Sequence, residues 1–234
     1  MTKRESDYSY LLSIIIPTLN EAETIEATLQ PLQALRHKGC EIILADAGSD
    51  DNTAQRAVSL VDQCVVAEKG RAQQMNAGAD VAQGRWLLFL HADTWLTANF
   101  SSFLTALATT KKQWGFFPLT LSGSHFFFRI IEKAINFRSK VSSIGTGDQC
   151  LFVKKSVFLE VGRFPNVALM EDVSLCKTLR KRSSPWVCSD KVLTSSRRWE
   201  QHGILKTVLL MWRLRLAYFL GVSPDRLVKM YYGG

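Results

Sequence analysis

Paired cysteines are missing from this chain. Cys40, Cys64, Cys150, Cys176 and Cys188 are odd in number, and no two have the spacing of a metal knuckle. Neither a zinc site nor a disulfide framework fits that scatter, whereas a reducing compartment does. Long apolar runs are missing too. No uninterrupted stretch reaches the roughly 18 residues that argue for a membrane-spanning helix. Residues 1–10 are polar and charged and lack the apolar core of a signal peptide, so none is expected. No Pro/Gly/Ser-rich linker divides the 234 residues, which favours one domain. No G-x-G-x-x-G follows the first expected strand and no P-loop occurs, so dinucleotide-binding and P-loop signatures are absent.

Positive charge is in excess. Lys and Arg number 29 against 21 Asp and Glu, for a net charge of +8 and a pI near 9.4. Such a balance implies anionic partners: nucleic acid, phosphorylated small molecules or an anionic membrane. With no nucleic-acid-binding motif, nucleic acid is set aside. Apolar residues make up 47%, enough for a substantial core.

The pattern of the first half is regular. Leu11–Ile16 reads as a β-branched central strand ended by Pro17. A helix follows with Ile25, Leu29, Leu32 and Leu35 on one face, and Pro31 should kink or shorten it. Glu41–Ala45 is the second strand, and residues 53–60 a helix with an Asx or Thr cap. Residues 63–67 form a third strand and residues 71–82 another helix. The apolar run Trp86–Leu90 reads as a strand buried on both faces. Alternation of this kind predicts an α/β fold, a mostly parallel sheet with right-handed crossovers. The second half is less rhythmic. Strands are expected at 114–117, 147–153, 185–188 and 191–193, and helices at 126–137 and 170–182.

Chemistry-bearing residues gather at expected strand ends. In open parallel sheets, ligands bind outside the carboxyl ends of the strands. Asp93 stands there, two residues after His91. A hard divalent cation is held by one or two carboxylates plus substrate phosphates, so Asp93 suits Mg²⁺ or Mn²⁺; it also suits a turn cap. Imidazole at His91 fits Mn²⁺ better than Mg²⁺, or serves as a hydrogen-bonded strand end. Thr18, Asn20 and Glu21 offer polar groups after the first strand. Arg71 could reach a diphosphate or nucleoside, or be a solvated helix start. Glu171 and Asp172 either complement a helix N-terminus or supply a base. Arg197, Arg198 and Trp199 would lie on a flexible, phosphate-pairing segment or a solvated basic loop, with His202 beyond as a further metal candidate.

Taken in order, Ile14-Ile-Ile-Pro17-Thr-Leu-Asn-Glu21, Asp46-Ala-Gly-Ser-Asp50 with Thr53, His91-Ala-Asp93, Glu171-Asp172 and Arg197-Arg-Trp199 resemble the motif set of family-2 glycosyltransferases. Gly70-Arg-Ala-Gln-Gln-Met-Asn-Ala-Gly78 and Gly147-Asp-Gln149 further resemble a bacterial subgroup. The resemblance covers about residues 11–200. It implies a GT-A-type nucleotide-sugar-binding fold, a nucleotide-diphosphate-sugar donor, a divalent cation (Mn or Mg) and inversion at the anomeric carbon. It assigns the donor to Pro17, Thr18, Asn20, Glu21, Asp46, Gly48, Ser49, Asp50, Arg71, Ala92, Arg197, Arg198 and Trp199. It assigns the base to Asp172 with Glu171 as its alternate, the acceptor side to Gly147, Asp148 and Gln149, and the metal to Asp93, with His91 and His202 as further candidates. His91 is a departure, since the family often has an acid there.

The expected layout is a catalytic domain over residues 1–203, with donor half 11–97 and acceptor half 98–203, and a tail over 204–234. In the tail, Leu205–Leu220 is apolar but broken by Arg213 and Arg215, which suits a helix lying on an anionic membrane surface or packing as a core helix. A lipid or lipid-linked acceptor and a cytoplasmic protein, peripheral on the inner face of the membrane, would follow from the former. Two rivals stand beside this reading: a non-catalytic nucleotide-sugar-binding protein, motivated by His91, and a nucleotidyltransferase. The latter typically carries a Gly-rich basic loop after strand one, where Pro17-Thr-Leu-Asn20 stands instead.

Overall fold

The computed structural model describes residues 8–96 and 100–232. Most of the expected leaderless start (residues 1–7), the expected junction of the two halves (97–99) and the end of the tail (233–234) lie outside the described residues. The first half contains β1 (Tyr10–Thr18), α1 (Ile25–Leu29), α2 (Gln33–Arg36), β2 (Cys40–Asp46), α3 (Thr53–Ala57), β3 (Gln63–Val66), α4 (Arg71–Val81) and β4 (Gly84–Phe89). The remainder is β5 (Thr94–Leu96), α5 (Phe100–Thr109), β6 (Trp114–Phe116), β7 (Leu119–Leu121), α6 (Phe126–Ser142), β8 (Phe152–Lys154), α7 (Lys155–Glu160), α8 (Glu171–Arg182), β9 (Trp186–Val187), β10 (Val192–Thr194), α9 (Arg197–His202), α10 (Ile204–Phe219) and α11 (Pro224–Tyr232).

A seven-stranded sheet runs β3-β2-β1-β4-β8-β6-β9, and a small three-stranded sheet runs β5-β10-β7. The four strands of the first half are parallel, while β8 pairs antiparallel with both β4 and β6. The chain winds outward from β1 to β3, then returns to the other side of β1 as β4. That reversal makes the β1/β4 edge a topological switch point, where a crevice opens beyond the strand ends. Continuous burial explains why these strands read as apolar runs: Ile14, Ile15, Ile16, Trp86, Leu87, Leu88 and Leu90 are wholly enclosed. Two apolar clusters, one on each face of the sheet, form the core.

Several expectations change. Pro17 does not end β1; the strand continues through it to Thr18. Ile15 O accepts from Leu90 N on the β4 side, and Thr18 O accepts from Ala47 N on the β2 side. The imino nitrogen of Pro17 therefore faces the β4 side, where pairing has stopped at Ile15 with Phe89. Pro31 does break its helix, into α1, a 3-10 turn and α2. The strand expected at 147–153 is a 3-10 turn (Gly147–Gln149) followed by β8. Helix α6 runs on to Ser142. Arg197, Arg198 and Trp199 belong to the short helix α9. The tail is two helices rather than one.

Candidate active site

Loop chemistry builds the first wall of the crevice. Beyond β2, the buried carboxylate of Asp46 accepts four hydrogen bonds: Thr18 Oγ1 (3.1 Å) and Ser49 Oγ (2.6 Å) at Oδ1, and Gly48 N (3.0 Å) and Ser49 N (2.8 Å) at Oδ2. Four donors fill the lone-pair positions of a carboxylate. Asp46 thus pins its own turn against β1. Gly48 sits at φ +77, a left-handed conformation that favours glycine. The turn is clipped to the loop after β1 from both sides. Asn20 N donates to Ser49 Oγ (2.9 Å), and Asp50 N donates to Asn20 Oδ1 (3.1 Å). The side chains of Asn20 and Asp50 are exposed at the rim.

The crevice itself holds about 390 Å³. Pro17, Thr18 and Glu21 line it from the end of β1, His91, Ala92 and Asp93 from the end of β4, Arg71 from the start of α4, and Glu171 from the start of α8. Eight residues expected in the site are brought together from four segments far apart in sequence. Leu19, Gly70, Gln74, Ala168, Leu169 and Tyr231 also line it and were not anticipated. Gln74 is buried and donates to Thr18 O (2.7 Å) and Ala45 O (3.1 Å), so it ties α4 to the ends of β1 and β2. Its place in the Gly70–Gly78 motif is a signal that the sequence carried. Tyr231 comes from α11 and had no local signal. Its ring lies 4.0 Å from the guanidinium of Arg198, a cation–π contact that sets the tail against α9.

Arg71 is the cation of the site. Its side chain is exposed, and although loss of water to neighbouring groups works against its charge, the fields of Glu171, Asp148, Asp172 and Asp93 outweigh that and raise its pKa. Glu21 is raised by partial burial, with Asp93 adding to the shift and Arg197 opposing it. Arg197 and Arg198 are thus within electrostatic reach of the crevice, the latter through Asp148. Trp199 instead packs half-buried against the core, and the exposed His202 sits with Nδ1 3.2 Å from Arg198 O. Neither lines the crevice.

Behind the crevice, His91 meets the 3-10 turn. Its Nδ1 lies 3.2 Å from Asp148 Oδ1, and the Cε1–Nε2 edge of its ring lies against Gly147. A Cβ at Gly147 would come within 2.3 Å of the His91 ring, so only glycine fits. Neighbouring groups that displace water disfavour the Asp148 carboxylate although its side chain is 55% exposed, but the His91 hydrogen bond and the Arg71 and Arg198 guanidiniums hold its pKa below the ordinary value. Gly147 N donates to Asp172 Oδ2 (2.8 Å), and Val173 N donates to Asp172 Oδ1 (2.6 Å). Two carboxylate positions on Asp172 stay open. Gln149 has a different part from the acceptor contact expected of it. Its side chain is fully buried, taking Ser139 Oγ (2.7 Å) and Thr146 N (3.2 Å), and holds the turn in shape.

Among the described residues, no three His, Cys, Asp or Glu side chains form a cluster that would hold a metal ion unaided. The donor set nonetheless suits a hard cation that arrives with its phosphates: Asp93 is half-exposed in the crevice and Arg71 lies opposite. His91 lines the crevice and also meets Asp148 and Gly147.

Residues 13–145, more than half of the chain, match the family described as glycosyl transferase family 2. The chain belongs to that family. A PGL/p-HBAD biosynthesis glycosyltransferase of Mycobacterium tuberculosis is 38% identical over 90 residues, 36% of this chain and 35% of that protein. The Escherichia coli UDP-Glc:alpha-D-GlcNAc-diphosphoundecaprenol beta-1,3-glucosyltransferase WfaP is 32% identical over 107 residues, 43% of each chain. The match therefore spans under half the length of these relatives. Among solved structures, the mannosyltransferase PcManGT of Pyrobaculum calidifontis, in complex with GDP-Man and Mn²⁺, superposes with TM-score 0.63 over 90% of this chain and 61% of that one, at 19% identity. TarS of Staphylococcus aureus in complex with UDP gives TM-score 0.63 over 79% and 60%, at 17% identity. At such identities the likeness establishes the fold, GT-A.

Within this family-2 site, Glu171 gives a pH signature. It is buried, and burial followed by the charge of Asp172 raises its pKa, against the pull of Arg71. Below the ordinary carboxylate pKa both folded and unfolded chains hold the proton, and Glu171 contributes no pH dependence. As pH rises above that value the unfolded chain releases its proton first, so the ionisable group lowers stability until pH passes the raised folded value. Glu171→Gln should therefore gain stability relative to the parent as pH rises, then plateau. Urea unfolding in chelator from about pH 4 to about pH 8 measures this. A gain that shrinks with pH would contradict the assigned direction.

Proposed function

We propose that this family-2 protein is an inverting transferase that moves a sugar from a nucleotide-diphosphate donor to an acceptor hydroxyl. The observation that carries it is the convergence of Asp93, Arg71 and Glu171 in one crevice at the β1/β4 switch point. The rim made by Asn20, Asp50 and the Asp46 turn takes the nucleoside. Arg71 faces the diphosphate, and Arg197 and Arg198 approach it from α9. Asp172 takes the acceptor's proton as that oxygen attacks, held in place by Gly147 N and Val173 N. A divalent cation, Mn²⁺ or Mg²⁺, would rest on Asp93 and the diphosphate oxygens; bound there, it neutralises charge on the leaving group. Two relatives are named for acceptors carried on diphosphoundecaprenol, which supports a lipid-linked acceptor here. No helix among the described residues is long and apolar enough to cross a membrane, so a lipid acceptor would be met at the surface.

A screen of nucleotide sugars tests this by nucleotide diphosphate release, with and without candidate acceptors. Release from one donor, stimulated by an acceptor, is the expected result. Tight donor binding without hydrolysis or transfer across the screen would favour the non-catalytic rival, for which the His91 replacement is the motive.

A further inference from the structure

Helices α6 and α10 each leave one face uncovered. On α6, Phe126, Ile130, Phe137 and Val141 are exposed, opposite the buried Phe128, Glu132 and Ser139. On α10, Leu205, Leu209, Trp212, Leu216 and Phe219 follow i, i+4, i+7, i+11, i+14, a single stripe in which Trp212 is 70% exposed. Only Thr207 and Leu214 of α10 are buried, so the helix is not an ordinary core helix. Apolar stripes of this size on a basic chain mark a binding surface.

Both helices are tied to α8, whose first turn carries Asp172. Arg180 Nη1 donates to Ser142 O (3.0 Å) at the end of α6. The Lys177 ammonium lies 4.3 Å from the Tyr218 ring and 4.6 Å from the Phe219 ring on α10. Arg138 of α6 and Arg215 of α10 are both half-buried, and both lie in the field of Asp172. The Arg138 Nε is buried with no hydrogen-bond partner, and its Nη2 reaches only Ser139 Oγ (3.1 Å). Neither guanidinium forms an ion pair among the described residues. Burial, then the charge of Arg215, pushes the Arg138 pKa down to about 10. Two like charges, part-desolvated and unpaired, call for an anion. Guanidinium forks match phosphate oxygens.

We propose that α6 and α10 are a docking surface for an anionic lipid bilayer, with Arg138 and Arg215 seating a lipid phosphate beside Asp172. This rests on the reading of Asp172 as the acceptor-side base, and it would present that base to a lipid-borne acceptor. Charge complementarity favours lipid over a second copy of the chain. A twofold interface lays the same patch on both partners, and here would bring the basic set Lys133, Lys140, Lys206 and Arg213 of one copy toward the same set on the other. The apolar stripes sink among the acyl chains while Lys and Arg stay at headgroup level. The stripes also discriminate against a soluble phosphate ester, which would have no use for them.

Co-sedimentation of the full chain with vesicles, in the absence of donor, tests the proposal. Binding should be strong to phosphatidylcholine vesicles containing phosphatidylglycerol, weak to phosphatidylcholine alone, and should fall with salt. Trp212→Ser with Leu216→Ser, both exposed and so without a folding role, should lower partitioning at least about tenfold. Arg138→Gln with Arg215→Gln should remove about thirtyfold of the preference for anionic vesicles, and the double lysine variant should restore most of it. Indifference of the parent to phosphatidylglycerol would overturn the proposal. So would unchanged binding by the Trp212/Leu216 variant, or a dimer in sedimentation velocity that this variant dissociates. Thermal protection by inorganic phosphate without vesicle binding would assign the arginines to a soluble anion and overturn the lipid assignment. Because no donor is present, failure here leaves the transferase reading standing, and failure of the donor screen leaves the vesicle result standing.

Discussion

Asp93→Asn lowers kcat/KM by at least about a hundredfold, on the order of 3 kcal/mol of transition-state stabilisation, the scale of losing one preorganised electrostatic stabiliser. The side chain is half-exposed just beyond the largely buried β4, and no hydrogen bond to its carboxylate supports the fold among the described residues. Stability should therefore stay within about 0.5 kcal/mol of the parent, as for surface changes away from structural features. The same loss should follow removal of divalent cations from the unaltered protein, and the two losses should not add. Undiminished turnover in excess chelator would remove the cation from the reading and leave Arg71 as the charge that meets the diphosphate.

Asp172→Asn abolishes transfer while leaving nucleotide-diphosphate affinity within about twofold, because a base acts in the chemical step and not in donor binding. The geometry separates the two acids. Glu171 lines the crevice, whereas Asp172 faces the Gly147 turn through its two backbone hydrogen bonds. Asparagine keeps one acceptor oxygen for those two N–H groups, so a stability loss of about 1 kcal/mol is expected alongside. Calorimetric titration of the nucleotide diphosphate, run beside a denaturant melt, distinguishes the cases. If affinity and transfer vanish together in a folded variant, Asp172 belongs to the donor site or the scaffold.

Much of the crevice wall is legible from residue order. Strands β1, β2 and β4 are buried on both faces, so their sequences are nearly unbroken apolar runs, interrupted only by Ser13, Glu41 and Arg85, and the polar residues that follow each run mark the strand ends. The helix α5 is legible in the same way: Phe100, Phe103, Leu104 and Leu107 are its buried face, at helical spacing. The strands β5 and β7 are three residues each, too short for a period of two to register, whereas β10, expected at 191–193, forms at Val192–Thr194 and pairs with both. Pro17 lies within β1 because a missing N–H ends a strand only where the ladder needs it, and on the β4 side pairing has already stopped at Ile15.

Sequence alone determined the α/β class, the order of motifs and the chemistry at each strand end, since these depend on local pattern and residue type. Tertiary structure decided which of those groups meet. Gln149 resembles a site residue and is a buried brace, His91 is turned to Asp148 and Gly147, and Trp199 packs into the core, because each is fixed by partners far away in the chain. The same holds for Tyr231 at the crevice and for Arg138, which feels the charge of Arg215 from a helix far along the chain. Side-chain type is written residue by residue, but burial and pairing are properties of the packed whole.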